Sequence, residues 1–242
     1  MISSIAFLSG PLATMLSQSS SSSYSRLITT ALILSLIGDY LLIPSKAEFS
    51  RLSPKLTRKL QASSQHSMSN QSIHQSNEIS TSFKLGVVAF AAAHIAYISA
   101  FLEDAQEGIS WVAFIYTFVA TLAASRWLGV IYPNNTPTVS WKSGNVLRLS
   151  IPRDMKLLVT LYAAVIGSMF AIAVSTLSSR VRTPMQHPYQ RILGATMFVI
   201  SDIFVARGAF GPKPAKPFWP TTALGLGLYF WGQMILAGTV YG

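Results

Sequence analysis

Two aspartates lie inside apolar runs of this chain, Asp39 in SLIGDYLL and Asp202 in FVISDIFVA. A charge at the centre of a bilayer costs about 2.5 kcal/mol or more, so membrane proteins keep one mainly when it functions or is tightly paired. Carboxylates in such positions hold and transfer protons. The six other acidic residues lie in predicted loops or at the ends of apolar runs: Glu48, Glu78, Glu103, Asp104, Glu107 and Asp154. Asp39 and Asp202 are therefore the candidates for proton chemistry.

The composition indicates a multi-pass membrane protein. Only 11% of the 242 residues are charged and the mean hydropathy is +0.43, whereas about a quarter of an ordinary soluble domain is charged. The net charge of +10 comes from basic residues between apolar runs, which the positive-inside rule explains better than a nucleic-acid partner does. The chain has no cysteine, which excludes disulfides, thiol catalysis and cysteine-ligated metal.

The apolar runs are long enough to cross a hydrocarbon core of about 30 Å, which takes about 17 to 25 helical residues. The sequence predicts an all-α fold, a polytopic transmembrane helix bundle of about six to seven spans. Six runs stand out, at 27–43, 84–102, 110–132, 156–177, 190–206 and 220–240.

Two segments fall outside these spans. Residues 1–26 form a short apolar N-terminal segment followed by a Ser-rich link, and residues 27–242 form the helical domain. That domain is interrupted at 44–83 by a polar stretch whose composition predicts a mostly disordered loop. His66 and His74 lie in the loop with no third ligand nearby, so they are interpreted as solvated histidines and no metal site is predicted.

The spacing of the spans predicts that Asp39 and Asp202 meet. Three spans separate their helices, so the two helices run parallel. Each aspartate precedes the end of its apolar run by four residues, roughly 6 Å along a helix axis. Both carboxylates are thus expected near one membrane face, at one depth. The alternative is that the two carboxylates only fix helix packing.

Other polar residues lie on the remaining spans. His94 and Tyr97 are three apart and Tyr229 and Gln233 are four apart, so each pair shares a helix face. Tyr162 is alone in its span. After the two aspartates, the next candidates for the site are His94, Tyr97, Tyr229 and Gln233, which could position water or a substrate.

Arg126 lies about six residues from the end of its span in AASRWLGVIY. Its side chain is expected to reach toward the interface, and the alternative is that it binds a lipid phosphate.

Five motifs in order give the chain a resemblance to the lysoplasmalogenase (YhhN-like) family of integral membrane proteins. They are LITTALILSLIGDYLL, FKLGVVAFAAAHIAYISAF, LYAAVIGSMFAIA, GATMFVISDIFVA and YFWGQMILAG. With GPLATML near the start, the resemblance covers about residues 10–242 without the 44–82 loop. By this resemblance, the chain is expected to depart from the family in three ways: it would lack the first helix, its second helix would be interrupted, and it carries a polar insertion after residue 43.

The resemblance implies an enzyme of ether lipid metabolism, a hydrolase of the vinyl ether bond of lysoplasmalogens. Its products are a fatty aldehyde and glycerophosphoethanolamine or glycerophosphocholine. It implies no cofactor, an endoplasmic reticulum membrane location, and a lysophospholipid substrate held among membrane lipids. The family's two intramembrane aspartates correspond to Asp39 and Asp202. Acid cleaves vinyl ethers, so one aspartate is expected to act as the acid and the other to stabilise the cation.

Two other functions remain open from the sequence. A small proton-coupled transporter would also carry intramembrane Asp and His. A non-catalytic lipid-binding protein is favoured by the altered N-terminus. Formation of aldehyde separates both from the enzyme, because neither makes a product.

Overall fold

The computed structural model describes residues 9–13, 22–43, 80–105, 108–132, 144–178, 188–212 and 219–240. Within these ranges the fold is all-α, as predicted, and 9–13 is a short helical segment. The six long helices are α1 (Ser23–Leu41), α2 (Thr81–Asp104), α3 (Trp111–Leu128), α4 (Arg153–Ser175, followed by a 3-10 turn at Thr176–Ser178), α5 (Pro188–Phe210) and α6 (Trp219–Gly238). The rest of the N-terminal segment and most of the 44–83 loop, with His66 and His74, lie outside the described residues.

Serine caps explain why three helices start where they do. The hydroxyl of Ser22 accepts a hydrogen bond from the amide of Ser25 at 3.2 Å, so α1 begins four residues before the predicted apolar run. Ser80 and Ser110 cap α2 and α3 in the same way. Such side chains satisfy amides that the first helical turn leaves unpaired. The caps lie upstream of the apolar residues, which is why hydropathy places α1 and α2 too late.

The helices have the dimensions of membrane spans. By length and composition, α2, α3, α4 and α5 are long and apolar enough to cross a bilayer. Helices α1 and α6, of 19 and 20 residues, pack with them in the same bundle. The chain is therefore an integral membrane protein.

Five of the helices form a ring. Neighbours around it follow the order α1, α2, α4, α5 and α6, and α6 returns to α1. Helix α3 lies outside the ring against α4 and buries none of its own residues. Aromatic side chains fill the interior: Phe90, Tyr97, Phe101, Phe198 and Tyr229. This interior is where polar groups could be shielded from lipid.

Glycines bring the helices close at two interfaces. A Cβ on Gly38 of α1 would lie 2.7 Å from the ring of Phe90 on α2. A Cβ on Gly194 of α5 would lie 2.7 Å from the side chain of Leu236 on α6. Small residues permit such close approach between membrane helices.

Gly38→Ala is expected to destabilise the protein by about 1 to 3 kcal/mol, since the added methyl overpacks the α1–α2 contact. The thermal unfolding midpoint in detergent measures the loss. Gly227→Ala is the matched control, because a Cβ there meets no atom within 4 Å. Equal midpoints for the two variants would show that Gly38 is not needed for packing.

The contacts at the helix ends confirm that α1 and α5 are parallel. Arg191 at the start of α5 lies over the ring of Tyr24 at the start of α1, 5.4 Å from its centroid. At the opposite end of the bundle, Lys84 at the start of α2 forms an ion pair of 2.6 Å with Asp154 at the start of α4. The ends of α1 and α5 that follow Asp39 and Asp202 point toward this second end.

The prediction that both aspartates lie four residues from a helix end is wrong. Asp39 lies two residues before the end of α1, and Asp202 lies eight before the end of α5. Helix α5 continues because its last turns pack on a second apolar cluster, where Phe210 contacts the ring of Phe83. The end of α5 therefore lies about 9 Å further from its aspartate than the end of α1 does.

Candidate active site

Asp202 faces α4 from α5. The hydroxyl of Tyr162 donates a hydrogen bond to Oδ2 of Asp202 at 2.6 Å. The neighbouring Ser201 is buried and donates to the carbonyl of Gly225 on α6 at 2.9 Å. In the Ser-Asp dipeptide, the serine thus fixes α5 against α6, and the aspartate side chain points into the helix ring. Asp202 itself is only half-buried, so another molecule can reach it.

Asp39 and Asp202 both interact with the same tyrosine, Tyr229. The side chain of Tyr229 on α6 is hydrogen-bonded to Asp39 and interacts electrostatically with Asp202. The amide Nε2 of Gln233 donates to the Tyr229 hydroxyl at 2.5 Å. Because the Tyr229 hydroxyl accepts this hydrogen bond, it remains free to donate its own proton in the hydrogen bond to Asp39. Tyr229 therefore interacts with both aspartates, and the buried Gln233 orients it.

His94 lies beside these groups in the centre of the ring. Its imidazole contacts Tyr162 and Phe198 edge to face, with ring centroids 5.7 and 5.4 Å apart. Its Nδ1 is 2.5 Å from the carbonyl oxygen of Phe90. Tyr97, one turn further along α2, is fully buried against the same Phe198. Both residues of the predicted His94–Tyr97 face thus point into the bundle.

The structure brings six of the seven predicted site residues to this interior: Asp39, His94, Tyr97, Asp202, Tyr229 and Gln233. Arg126 is not among them. It is exposed in the last turn of α3, the helix outside the ring. Its binding of a lipid phosphate stays a prediction.

A model of the YhhN family matches residues 70–240 of the chain. The chain belongs to the YhhN family. The match contains α2 to α6 and hence every predicted site residue except Asp39, which precedes it. No curated protein and no solved structure matches the chain.

Sequence reasoning on this YhhN protein missed the role of Tyr162. The residue has no polar neighbour one turn away on α4, and its partner Asp202 is 40 positions further along the chain. A lone tyrosine in the middle of an apolar span was the available signal, since a buried phenol needs a hydrogen-bond partner. Only the ring order of the helices identifies that partner.

The arrangement in this YhhN protein is suited to acid–base chemistry. Each carboxylate has a tyrosine hydroxyl as partner, and a histidine lies next to one of these tyrosines. Side chains of these types transfer protons in enzymes. Among the residues that the structure describes, no three His, Cys, Asp or Glu lie together as metal ligands.

Proposed function

We propose that this protein hydrolyses the vinyl ether bond of lysoplasmalogens, with Asp39 and Asp202 as the catalytic carboxylates. The observation that carries the proposal is that two half-buried aspartates from helices far apart in the sequence both interact with Tyr229 inside a membrane helix ring. The products are a fatty aldehyde and glycerophosphoethanolamine or glycerophosphocholine. The resemblance of the motifs around both aspartates to the lysoplasmalogenase family supports the same reaction.

The chemistry of the substrate explains why two carboxyl groups are needed. A vinyl ether resists base, but a proton added to its β-carbon gives an oxocarbenium ion. Water adds to the cationic carbon, and the resulting hemiacetal collapses to aldehyde and alcohol. Glycosidases meet a similar cation with two carboxyl groups, one as acid and one as a negative group. Low dielectric and a neighbouring negative charge both disfavour the ionised form of a carboxyl group, so one carboxyl of the pair is expected to stay protonated.

The two aspartates divide these roles. One of Asp39 and Asp202, protonated, donates to the β-carbon. The other, ionised, stabilises the cation. Tyr229 interacts with both aspartates. Its hydroxyl therefore keeps the two carboxyl groups in position while charge moves from one to the other. Tyr162 fixes the Asp202 carboxylate in the same way from α4.

We place the headgroup of the substrate at one end of the bundle. Basic residues at the end near the carboxylates include Lys84, Arg126, Arg153 and Arg207. These charges attract the phosphate of a lysophospholipid, while its alkenyl chain lies among the apolar helices. We place this reaction in the endoplasmic reticulum membrane, where the family is expected.

The test is aldehyde release by the purified protein in detergent, without a membrane gradient. A lysoplasmalogen is expected to give aldehyde, whereas its saturated alkyl ether analogue, which has no double bond to protonate, gives none. A transporter or a passive lipid-binding protein would release no aldehyde from either lipid. That outcome, or equal cleavage of both lipids, would refute the proposed function.

A further inference from the structure

Three buried polar atoms in the ring interior have no hydrogen-bond partner among the described residues. They are Nε2 of His94, the hydroxyl of Tyr97 and the hydroxyl of Ser35. Each of these residues is at most 1% exposed. Buried polar groups in proteins are nearly always bonded to protein or to water. Three such atoms on adjacent residues therefore indicate that a polar molecule binds there.

Tyr97 contacts both of the other residues, and His94 contacts the partner of a carboxylate. The rings of His94 and Tyr97 are 6.4 Å apart on one face of α2. The Tyr97 hydroxyl interacts with Ser35 across the α1–α2 interface, although neither oxygen reaches hydrogen-bond geometry with a described residue. On its other side His94 contacts Tyr162, the partner of Asp202. The cluster thus adjoins the candidate active site.

The donor and acceptor pattern of the cluster matches water. The Phe90 carbonyl can only accept a hydrogen bond, so its contact with Nδ1 of His94 assigns the proton to that nitrogen. Nε2 of the neutral ring is then an acceptor. The hydroxyls of Tyr97 and Ser35 can both donate. A buried water typically makes about three hydrogen bonds, and here it would donate to Nε2 and accept from the two hydroxyls.

We propose that His94, Tyr97 and Ser35 bind a water molecule inside the bundle and that this water is the nucleophile of the hydrolysis. The second half of this proposal rests on the proposed function. A reaction inside a membrane has no bulk water to draw on, so the protein must hold the water that is consumed. His94 is then a catalytic base, and Tyr97 and Ser35 are positioning residues.

The proton balance of the step closes within the site. After the protonated aspartate has given its proton to the β-carbon, the water oxygen bonds to the cationic carbon and one water proton passes to Nε2 of His94. In the hemiacetal, the bond from this carbon to the glycerol oxygen breaks. The glycerol oxygen takes the bonding electrons and the remaining hydroxyl proton, which leaves aldehyde and alcohol. His94 returns its proton to the aspartate.

Thermal stability tests the water site without reference to activity. Tyr97→Phe and Ser35→Ala each remove one hydroxyl. If the hydroxyls bind water, each variant loses hydrogen bonds, and the unfolding midpoint falls by about 2 to 4 °C. If the site is dry, each variant loses an unpaired polar group, and the midpoint rises. A rise or no change in both variants would overturn the proposal. The matched controls are Tyr116→Phe, at an exposed position on α3, and Ser99→Ala, whose half-buried hydroxyl donates to the carbonyl of Ile95 on its own helix. Neither should change the midpoint.

Activity tests the nucleophile. His94→Phe is expected to lower kcat for aldehyde release about a hundredfold or more with little change in KM. Tyr97→Phe should lower kcat in the wild-type background but hardly at all in the His94→Phe background, because both changes release the same water. Normal kcat in His94→Phe would overturn the assignment. A wild-type protein that makes no aldehyde would overturn the proposed function and the nucleophile together, while the stability result still decides the water site.

Discussion

Asp202→Asn is expected to lower aldehyde release from a lysoplasmalogen by at least about a hundredfold, the lower range of what a positioned acid or base contributes. The amide has the size of the carboxyl and can still accept the hydrogen bond from Tyr162. It can neither donate an acidic proton nor carry the negative charge. Asp39→Asn is expected to do the same, since both roles are needed in each turnover. The measurement is the initial rate of aldehyde formation in detergent.

Asp154→Asn is the matched control for these variants. Asp154 is exposed, pairs with Lys84 at the surface and takes no part in the carboxylate pair. Its replacement should leave the rate unchanged. Thermal unfolding of all three variants shows whether lost activity reflects lost structure. Near-normal turnover in either Asp39→Asn or Asp202→Asn would show that the two carboxylates do not act as a pair.

Asp104→Asn is expected to destabilise the folded protein by about 3 kcal/mol, the lower end of the cost of leaving one charge of a buried ion pair alone, because Arg191 is buried while Asp104 is 25% exposed. Asp104 at the end of α2 forms an ion pair with Arg191 of α5, whose side chain is 7% exposed. The same guanidinium lies over the rings of Tyr24 and Phe101. This pair ties three helices together at the end of the ring away from Lys84 and Asp154. The readout is the unfolding midpoint in detergent.

A double variant separates the charge from the packing. Asp104→Leu combined with Arg191→Met removes both charges and keeps apolar contact, so stability should return close to the wild-type value. The aldehyde rate per folded molecule should be unchanged in Asp104→Asn, because Asp104 lies at the opposite end of the bundle from Lys84 and Asp154. An unfolding midpoint equal to wild type in Asp104→Asn would show that the ion pair contributes nothing to stability.

The helices could be predicted from the sequence because a segment that crosses the lipid must be a long run of apolar residues, which hydropathy detects. All six apolar runs became helices, and their ends moved by a few residues where a serine cap or a packing contact extended them. The two carboxylates could be found for the same reason, since a charge in an apolar run is conspicuous. Counting spans predicted that their helices run parallel, but it could not predict that both carboxylates interact with Tyr229.

The contacts between helices could not be predicted in this way. Tyr162 and Arg191 bond to partners 40 and 87 positions away, and nothing in their local sequence reports these pairings. The sequence places Asp104 only in a loop or at the end of an apolar run, whereas the structure pairs it with the buried Arg191. Likewise, Ser35 lies on the face of α1 that carries Asp39, one turn away, but its place beside Tyr97 depends on the α1–α2 packing.

Hydrolysis in heavy water tests most directly the claim that a carboxylic acid of this protein protonates the vinyl ether. The fatty aldehyde should carry one deuterium on the carbon next to its carbonyl group, and authentic aldehyde incubated alongside should carry none over the same time. Mass spectrometry of the product gives the count. Aldehyde without deuterium at that carbon, or no aldehyde at all, would contradict proton transfer from the Asp39–Asp202 pair to the substrate.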